Sequence, residues 1–353
     1  MLTSMVQLVI ILTETALRGA LFGLMAIGLT LTYITTKVPN FAYGSFVTIG
    51  IYTAFSLFHL GLNPYLSTPI AFAVGGASSV GMYLGVLRPL YKRGSSLVSL
   101  MISTLALDIA FVGIFGFYTD YLKYTLKIDG KAFSQLSGDF KLLNVAGLAY
   151  IAPVALALVT LGLFLLLTRT KFGVAMRASV ENPSLARVLG INVDVTYVVA
   201  WFLAGGFAGM AGAFYTLESG GTVFTGSALI VDIFAASVLG GLASIYGGAI
   251  GGVMIGIGEG VIATIGVTVL GSWVGVYQPG IPLITMMVIL LVIPQGLTSV
   301  HWRTIPHRFL VAVRELPSGI VEWDKRHGFS SRLRWRLLRP KKGMSRNQFR
   351  RVK

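Results

Sequence analysis

Apolar residues in this chain run in stretches of about 20, the length a helix needs to cross a hydrocarbon core ~30 Å thick. Polar residues gather in short segments between those stretches. Windows of about 19 residues place spans near 10–35, 42–60, 66–87, 97–117, 147–168, 194–217, 229–246, 248–268 and 281–299. The pattern predicts an all-α, polytopic membrane protein with about nine spans. Eight or ten remain open, and 229–268 is compatible with a broken or re-entrant arrangement. The first stretch lacks a basic region ahead of it, unlike a cleavable signal, and is expected to be retained.

Composition agrees with the hydropathy. Of the 353 residues 55% are hydrophobic and only 12% charged, which overrides the one or two soluble domains that length alone would suggest. The net charge of +15 is uneven: residues 301–353 hold 15 Lys/Arg against 3 Asp/Glu, and the first 300 hold 13 against 10. The chain therefore reads as a nearly neutral membrane body, 1–300, with a basic tail, 301–353. Arg88, Lys92 and Arg93 cluster in one short loop, and Arg169, Lys171, Arg177 and Arg187 in another. Both loops and the tail are expected on the cytoplasmic side by the positive-inside bias. The loop 118–146 mixes four Lys with three Asp and suits the outside. That gives an N-terminus out and a C-terminus in, in the cell membrane.

Several chemistries are missing from the sequence. With no Cys there is no disulfide or cysteine-metal site, and the four His make no metal-binding spacing. No phosphate-binding G-x-x-x-x-G-K-[ST] loop occurs, and no G-x-S-x-G elbow. GIGEG at 256–260 follows no strand and is not a dinucleotide fingerprint. No metal, cofactor or catalytic residue is expected. The ionisable residues in or near spans are Glu14, Arg18, Asp108, Glu218, Asp232 and Glu259. Each costs ~2.5–3.5 kcal/mol in hydrocarbon on insertion scales, so each needs a partner or a cavity. Glu14 and Arg18, four apart, are read as neutralising each other. Glu218 and Asp232 flank an outside loop and read as wet, and Glu259 as a polar contact in a Gly-rich span. Asp108 has no local partner, so it either lines a cavity or is held by buried hydrogen bonds.

Gly is spaced as G-x-x-x-G at 19/23, 81/85, 205/209 and 248/252/256/260, a pattern that lets helix backbones approach within one chain or across a dimer seam. Pro39 and Gly44 bracket Asn40, Phe41 and Tyr43 at a break between spans, where freed backbone groups need polar neighbours or a wet cavity. A charged island, Thr168 to Asn192, interrupts the apolar pattern. It reads as two short helices, with Phe172, Ala175, Met176 and Ser179 on one face. Asn182-Pro183 marks the break between them and Gly190 the end. On its own this is either a partner-docking loop or a solvated basic loop.

Four segments together resemble the permease subunits of ABC importers for branched-chain amino acids: GLMAIGLTLTYITTKVPNFAYGSF (23–46), TKFGVAMRASVENPSLARVLGIN (170–192), VLGGLASIYGGAIGG (238–252) and VILLVIPQGL (288–297). Their order and spacing match across about 20–300. The chain departs from the family at Tyr43, where His is common, at Tyr246, where Pro is, and at Asp232, where a basic residue is frequent. Asp108 stands at a position usually small or apolar, and the basic tail is unusual.

The resemblance implies a permease fold like that of the vitamin-B12-type importers, with no covalent chemistry. It implies two ATP-binding subunits, a second permease or a copy of this one, and an extracytoplasmic substrate-binding protein. The small-molecule substrate is a branched-chain or related amino acid, and urea and amides are also handled in the family. The island 168–192 would be the coupling helix loop, carried by Thr170, Phe172, Gly173, Met176, Arg177, Asn182, Arg187 and Gly190. Asn40, Phe41, Tyr43 and Asp108 would lie along the translocation path. A facilitative channel or secondary transporter for a small polar solute is the alternative. The tail, with Trp335, Leu337 and Leu338 among Lys and Arg, suits anionic lipid, and no nucleic-acid module is present.

Overall fold

A computed structural model describes residues 2–142, 145–271, 278, 280–292 and 296, all within one compact unit, Met1–Ser299. The basic tail and the expectation of lipid contact there lie outside the described residues. Each expected span holds a helix among the described residues: α1 (Leu2–Thr36), α2 (Tyr43–His59), α3 (Pro64–Met82), α5 (Leu97–Tyr121), α6 (Leu148–Arg169), α9 (Val193–Glu218), α10 (Thr225–Gly240), α11 (Ile245–Leu270) and, for the part of 281–299 that is described, α12 (Gly280–Val292). Between them sit α4 (Arg88–Lys92), α7 (Lys171–Glu181) and α8 (Pro183–Val188).

Among the described residues, however, six helical segments are long and apolar enough to cross a membrane: Leu12–Thr36, Pro64–Lys92, Leu97–Leu126, Leu148–Arg169, Val193–Glu218 and Ile245–Val269. Helices α2, α10 and α12, with 17, 16 and 13 residues, fall short of the ~20 a full crossing takes. Two of the three begin inside the bundle, as described below. Among the described residues, six full crossings are therefore shown and the expected nine are not. The long segment Pro64–Lys92 survives Pro89 by widening into a π-turn, Tyr83–Leu87, immediately before it. Proline supplies no N–H and collides with the carbonyl four residues back, and the looser turn absorbs that mismatch.

Helix α1 runs through the centre, with Leu24, Met25, Ile27 and Leu29 fully enclosed. It packs on α11 through interleaved glycines. A side chain on Gly252 would strike the Gly23 backbone, and one on Gly256 the Gly19 backbone. Such backbone-to-backbone approach multiplies dispersion contacts where lipid offers no hydrophobic drive. Thr30 and Ser237 add a buried hydroxyl pair at 2.7 Å between α1 and α10. Gly205 and Gly209 of α9 meet α3 at Gly75 and Ala71 in the same way. Gly81 and Gly85 meet nothing within 4 Å, so that pair packs no helix among the described residues. Helices α5 and α6 leave much apolar surface outside, including Ile109, Phe117, Val154 and Leu158.

Opposite ends of the bundle carry different chemistry. At one end the termini of α1, α4, α8 and α9 meet, and Arg88 pairs with Asp194. At the other, β1 (Ala132–Phe133) pairs antiparallel with β4 (Gly221–Thr222), and β2 (Lys141–Leu142) with β3 (Val145–Ala146). Asp139 fastens this cap, accepting from Tyr65 Oη at 2.5 Å and from the Leu148 amide at 3.1 Å. Lys131 bonds Asp120 at 2.9 Å, which raises the lysine pKa.

Candidate functional site

Helices α2 and α10 both start within the bundle. Tyr43, the first residue of α2, donates its hydroxyl to the Ala204 carbonyl at 3.1 Å, near the middle of α9. Ser45 and Ser227, each in the first turn of its helix, donate to the two oxygens of Asp108 at 2.6 and 2.8 Å. Asp108 lies near the middle of α5, so the two helix starts meet at membrane depth. They also meet each other. A side chain on Gly226 would run into the Gly44 carbonyl, and one on Gly44 into that of Gly226. Neither N-cap residue caps its helix through a side chain, but the Gly226 amide donates to Thr48 Oγ1 at 3.0 Å, and both starts turn the positive ends of their helix dipoles toward the half-buried Asp108. Two hydroxyl donors, one from each helix start, therefore fix both oxygens of the Asp108 carboxyl group.

The sequence did not single out this pairing of starts. Its signal was present: Tyr43-Gly44-Ser45 opens α2 and Thr225-Gly226-Ser227 opens α10, a repeated Gly-Ser at the head of two short apolar segments. The break at Asn40, Phe41 and Tyr43 is where the sequence placed it. Asn40 is buried, its Oδ1 accepts from the Ala42 amide at 3.1 Å, and its Nδ2 has no hydrogen-bond partner among the described residues. The Phe41 amide donates to Thr104 Oγ1 at 3.2 Å, one turn from Asp108. Phe41 and Asp108 therefore share the α2–α5 contact. Tyr43 turns away into α9, fully enclosed, and Gly28 leaves the room its phenol needs.

The in-span charges are arranged differently from the local reading. Arg18 pairs with Glu218 at 2.9 Å, across the bundle, and not with Glu14. Glu218, expected to be wet, has a side chain only 12% exposed. Glu259 makes the expected polar contact, accepting from Gln278 at 2.9 Å.

The island folds as two helices. Thr170 caps α7 by accepting from the Gly173 amide at 3.1 Å, and Asn182 caps α8 by accepting from the Leu185 amide at 3.0 Å. Pro183 stands at the first position of α8, and Gly190 ends it at φ +82°. Gly173 lies against the Leu166 and Leu167 carbonyls. The face carrying Phe172 and Met176 points inward: Met176 is buried in the protein's own core and Phe172 packs beside it. That face cannot also be the outward docking surface. Val174, Leu185, Val188 and Leu189 are the exposed apolar residues of the island, Val188 at 83%, and Arg177 and Arg187 are exposed beside them.

A family model described as "Branched-chain amino acid transport system / permease component" matches residues 11–293. The chain belongs to this family. Among relatives of this permease, the probable branched-chain amino acid transport permease protein LivH of Methanocaldococcus jannaschii is 42% identical over 294 residues, covering 83% of this chain and 93% of that one. The high-affinity branched-chain amino acid transport system permease protein LivH of Escherichia coli is 26% identical over 299 residues, covering 79% and 91%. Among solved structures, PsaBC from Streptococcus pneumoniae in complex with Fab matches at a TM-score of 0.45 and 13% identity, covering 81% of this chain and 92% of that one. Family membership and the six apolar helices make the chain an integral membrane protein.

Proposed function

We propose that the chain is the permease subunit of an ATP-driven importer of branched-chain or related amino acids. Membership of the permease family along residues 11–293 carries the reading, and it favours an importer over a facilitative channel. ATP is hydrolysed on two separate subunits that dock at the end of the bundle bearing the island. That end also carries Lys37, Arg88, Lys92 and Arg93, which supports a cytoplasmic location. A binding protein delivers substrate at the opposite, strand-capped end. Helices α5 and α6, apolar outside, face lipid or a second permease, as a homo- or heterodimer of the vitamin-B12-importer type would require. Helices α2, α10 and α12 complete the membrane crossing in company with their neighbours.

Coupling then follows from mechanics. ATP binds the two states of the ATPase pair with different affinity, and the island moves with the ATPase because its helices are anchored at both ends. Motion reaches the α2–α5–α10 junction around Asp108, where two short helices abut with little side chain between them. Asn40, Phe41, Tyr43 and Asp108 lie along the path that opens and closes there. Assembly with the ATPase and binding protein in proteoliposomes tests this directly: an amino acid should stimulate ATP hydrolysis and accumulate inside. Uptake that ignores ATP would favour the facilitative transporter. In this Cys-free chain, single cysteines at Asn40 and Phe41 should label differently with and without nucleotide, and uniform protection would argue for a packing kink.

A further inference from the structure

At the island end of the bundle, α1, the π-turn with α4, α5, α8 and α9 enclose a cavity of about 290 Å³. Its charged lining is Arg88, Lys92 and Arg187 against Asp194 alone. Asp194 is already engaged twice. It pairs with Arg88, and it stands in the first turn of α9, where the helix dipole favours an acid. Lys92 and Arg187 are exposed and form no ion pair among the described residues. The cavity therefore carries a surplus of positive charge at its mouth.

Depth decides what meets that charge. Four of the segments long enough to cross a membrane have an end here: Leu12–Thr36, Pro64–Lys92, Leu97–Leu126 and Val193–Glu218. Thr36, Lys92, Leu100 and Asp194, one from the terminal turn of each, all line the cavity. It thus lies where hydrocarbon gives way to water, the level of lipid headgroups. Tyr91, lining the cavity and 66% exposed, suits that level, where aromatic rings with one polar edge collect. Leu84, one turn deeper than Arg88, adds exposed apolar surface. A soluble anion would gain nothing from that surface or that depth.

We propose that this cavity binds the phosphate headgroup of an anionic phospholipid. Lys92 and Arg187 hold the phosphate at the mouth, and Arg88, fixed by Asp194, strengthens the field behind them. The volume takes a headgroup and not a whole lipid, so the acyl chains descend outside it, past Leu84. Basic pockets between membrane helices take such headgroups on the cytoplasmic side. The site is separate from the basic tail, and it does not depend on the importer reading.

The test titrates full-length permease in neutral detergent with phosphatidylglycerol, or with phosphatidylcholine of the same chains, and counts bound lipids by native mass spectrometry. One phosphatidylglycerol per chain should be held in preference to phosphatidylcholine. Lys92→Gln combined with Arg187→Gln should weaken its binding about thirtyfold, as loss of two cations facing an anionic headgroup implies. Arg93→Gln combined with Lys171→Gln removes the same charge from residues outside the lining and should leave the lipid bound. So should deletion of the residues after Pro317. Melting temperature checks that each variant is folded. Equal retention of the two lipids overturns the site and leaves its cations to an acidic protein partner. Unchanged binding by the Lys92 and Arg187 pair overturns it as well. Loss of the lipid with the Arg93 and Lys171 pair, or with the tail deletion, would show diffuse attraction in place of a site. Displacement by inorganic phosphate as readily as by short-chain phosphatidylglycerol would make the cavity a free-anion site and remove the lipid from it.

Discussion

Asp108 keeps its place at membrane depth through two serine hydroxyls, one from each of two helix starts. Losing a hydrogen bond to a charged group costs ~1.5–3 kcal/mol. Asp108→Leu strands both hydroxyls and should lower the melting temperature in detergent by several degrees, whereas Asp108→Asn, which keeps one acceptor, should lower it less. Equal melting of the two variants would show that the serines contribute nothing there. Gly226→Ala tests the adjoining contact, since the added methyl would have to displace both the Gly44 carbonyl and Thr48 Oγ1. Overpacking of this kind costs ~1–3 kcal/mol. Gly81→Ala, which meets open space, should leave the melting temperature of the single chain unchanged. A loss of dimer on that substitution would place a permease–permease seam at Gly81 and Gly85.

At the scale of the element, the island divides its residues between two jobs. Met176 and Gly173 hold it to the membrane body, and Val174, Leu185, Val188 and Leu189 face outward. Exposed apolar residues clustered on one loop mark a protein contact more than a solvated tether. Leu189→Asp and Val188→Asp should therefore abolish ATPase association in pull-down while leaving the permease's melting curve intact. Met176→Ala should do the reverse, costing ~2–5 kcal/mol of stability through the cavity it leaves. Gly190→Val forces a β-branched side chain into the left-handed region and should uncouple uptake from ATP without preventing membrane insertion. Normal coupled uptake by Leu189→Asp and Gly190→Val alike would remove the island from the coupling interface.

Residues 1–299 are held by a continuous buried apolar core, with interleaved glycines drawing α1 against α11 and a few polar ties between helices. Charge is allotted by end: a basic island end, a mixed strand-capped end, and a basic tail. Deleting the residues after Pro317 should leave insertion and amino-acid uptake near normal. Loss of ATPase association on that deletion would instead make the tail part of the coupling interface.

Hydropathy alone determined the helical class and the place of every apolar segment, because a hydrocarbon slab forces a long apolar run and satisfies the backbone only in a helix. Local chemistry determined the island's two helices and their caps, since Thr170, Asn182 and Pro183 act on amides within three residues. The four motifs in register were enough to indicate the family. What the sequence left undecided depends on partners distant along the chain. Arg18 chose Glu218, 200 residues away, over Glu14, four residues away, because α1 and α9 pack side by side. Phe172 and Met176 turned inward because α7 lies back on its own bundle. Helices α2 and α10 start at mid-depth because Gly44 and Gly226 let two chain segments touch there, and only tertiary packing brings those glycines, and the two serines beside Asp108, together.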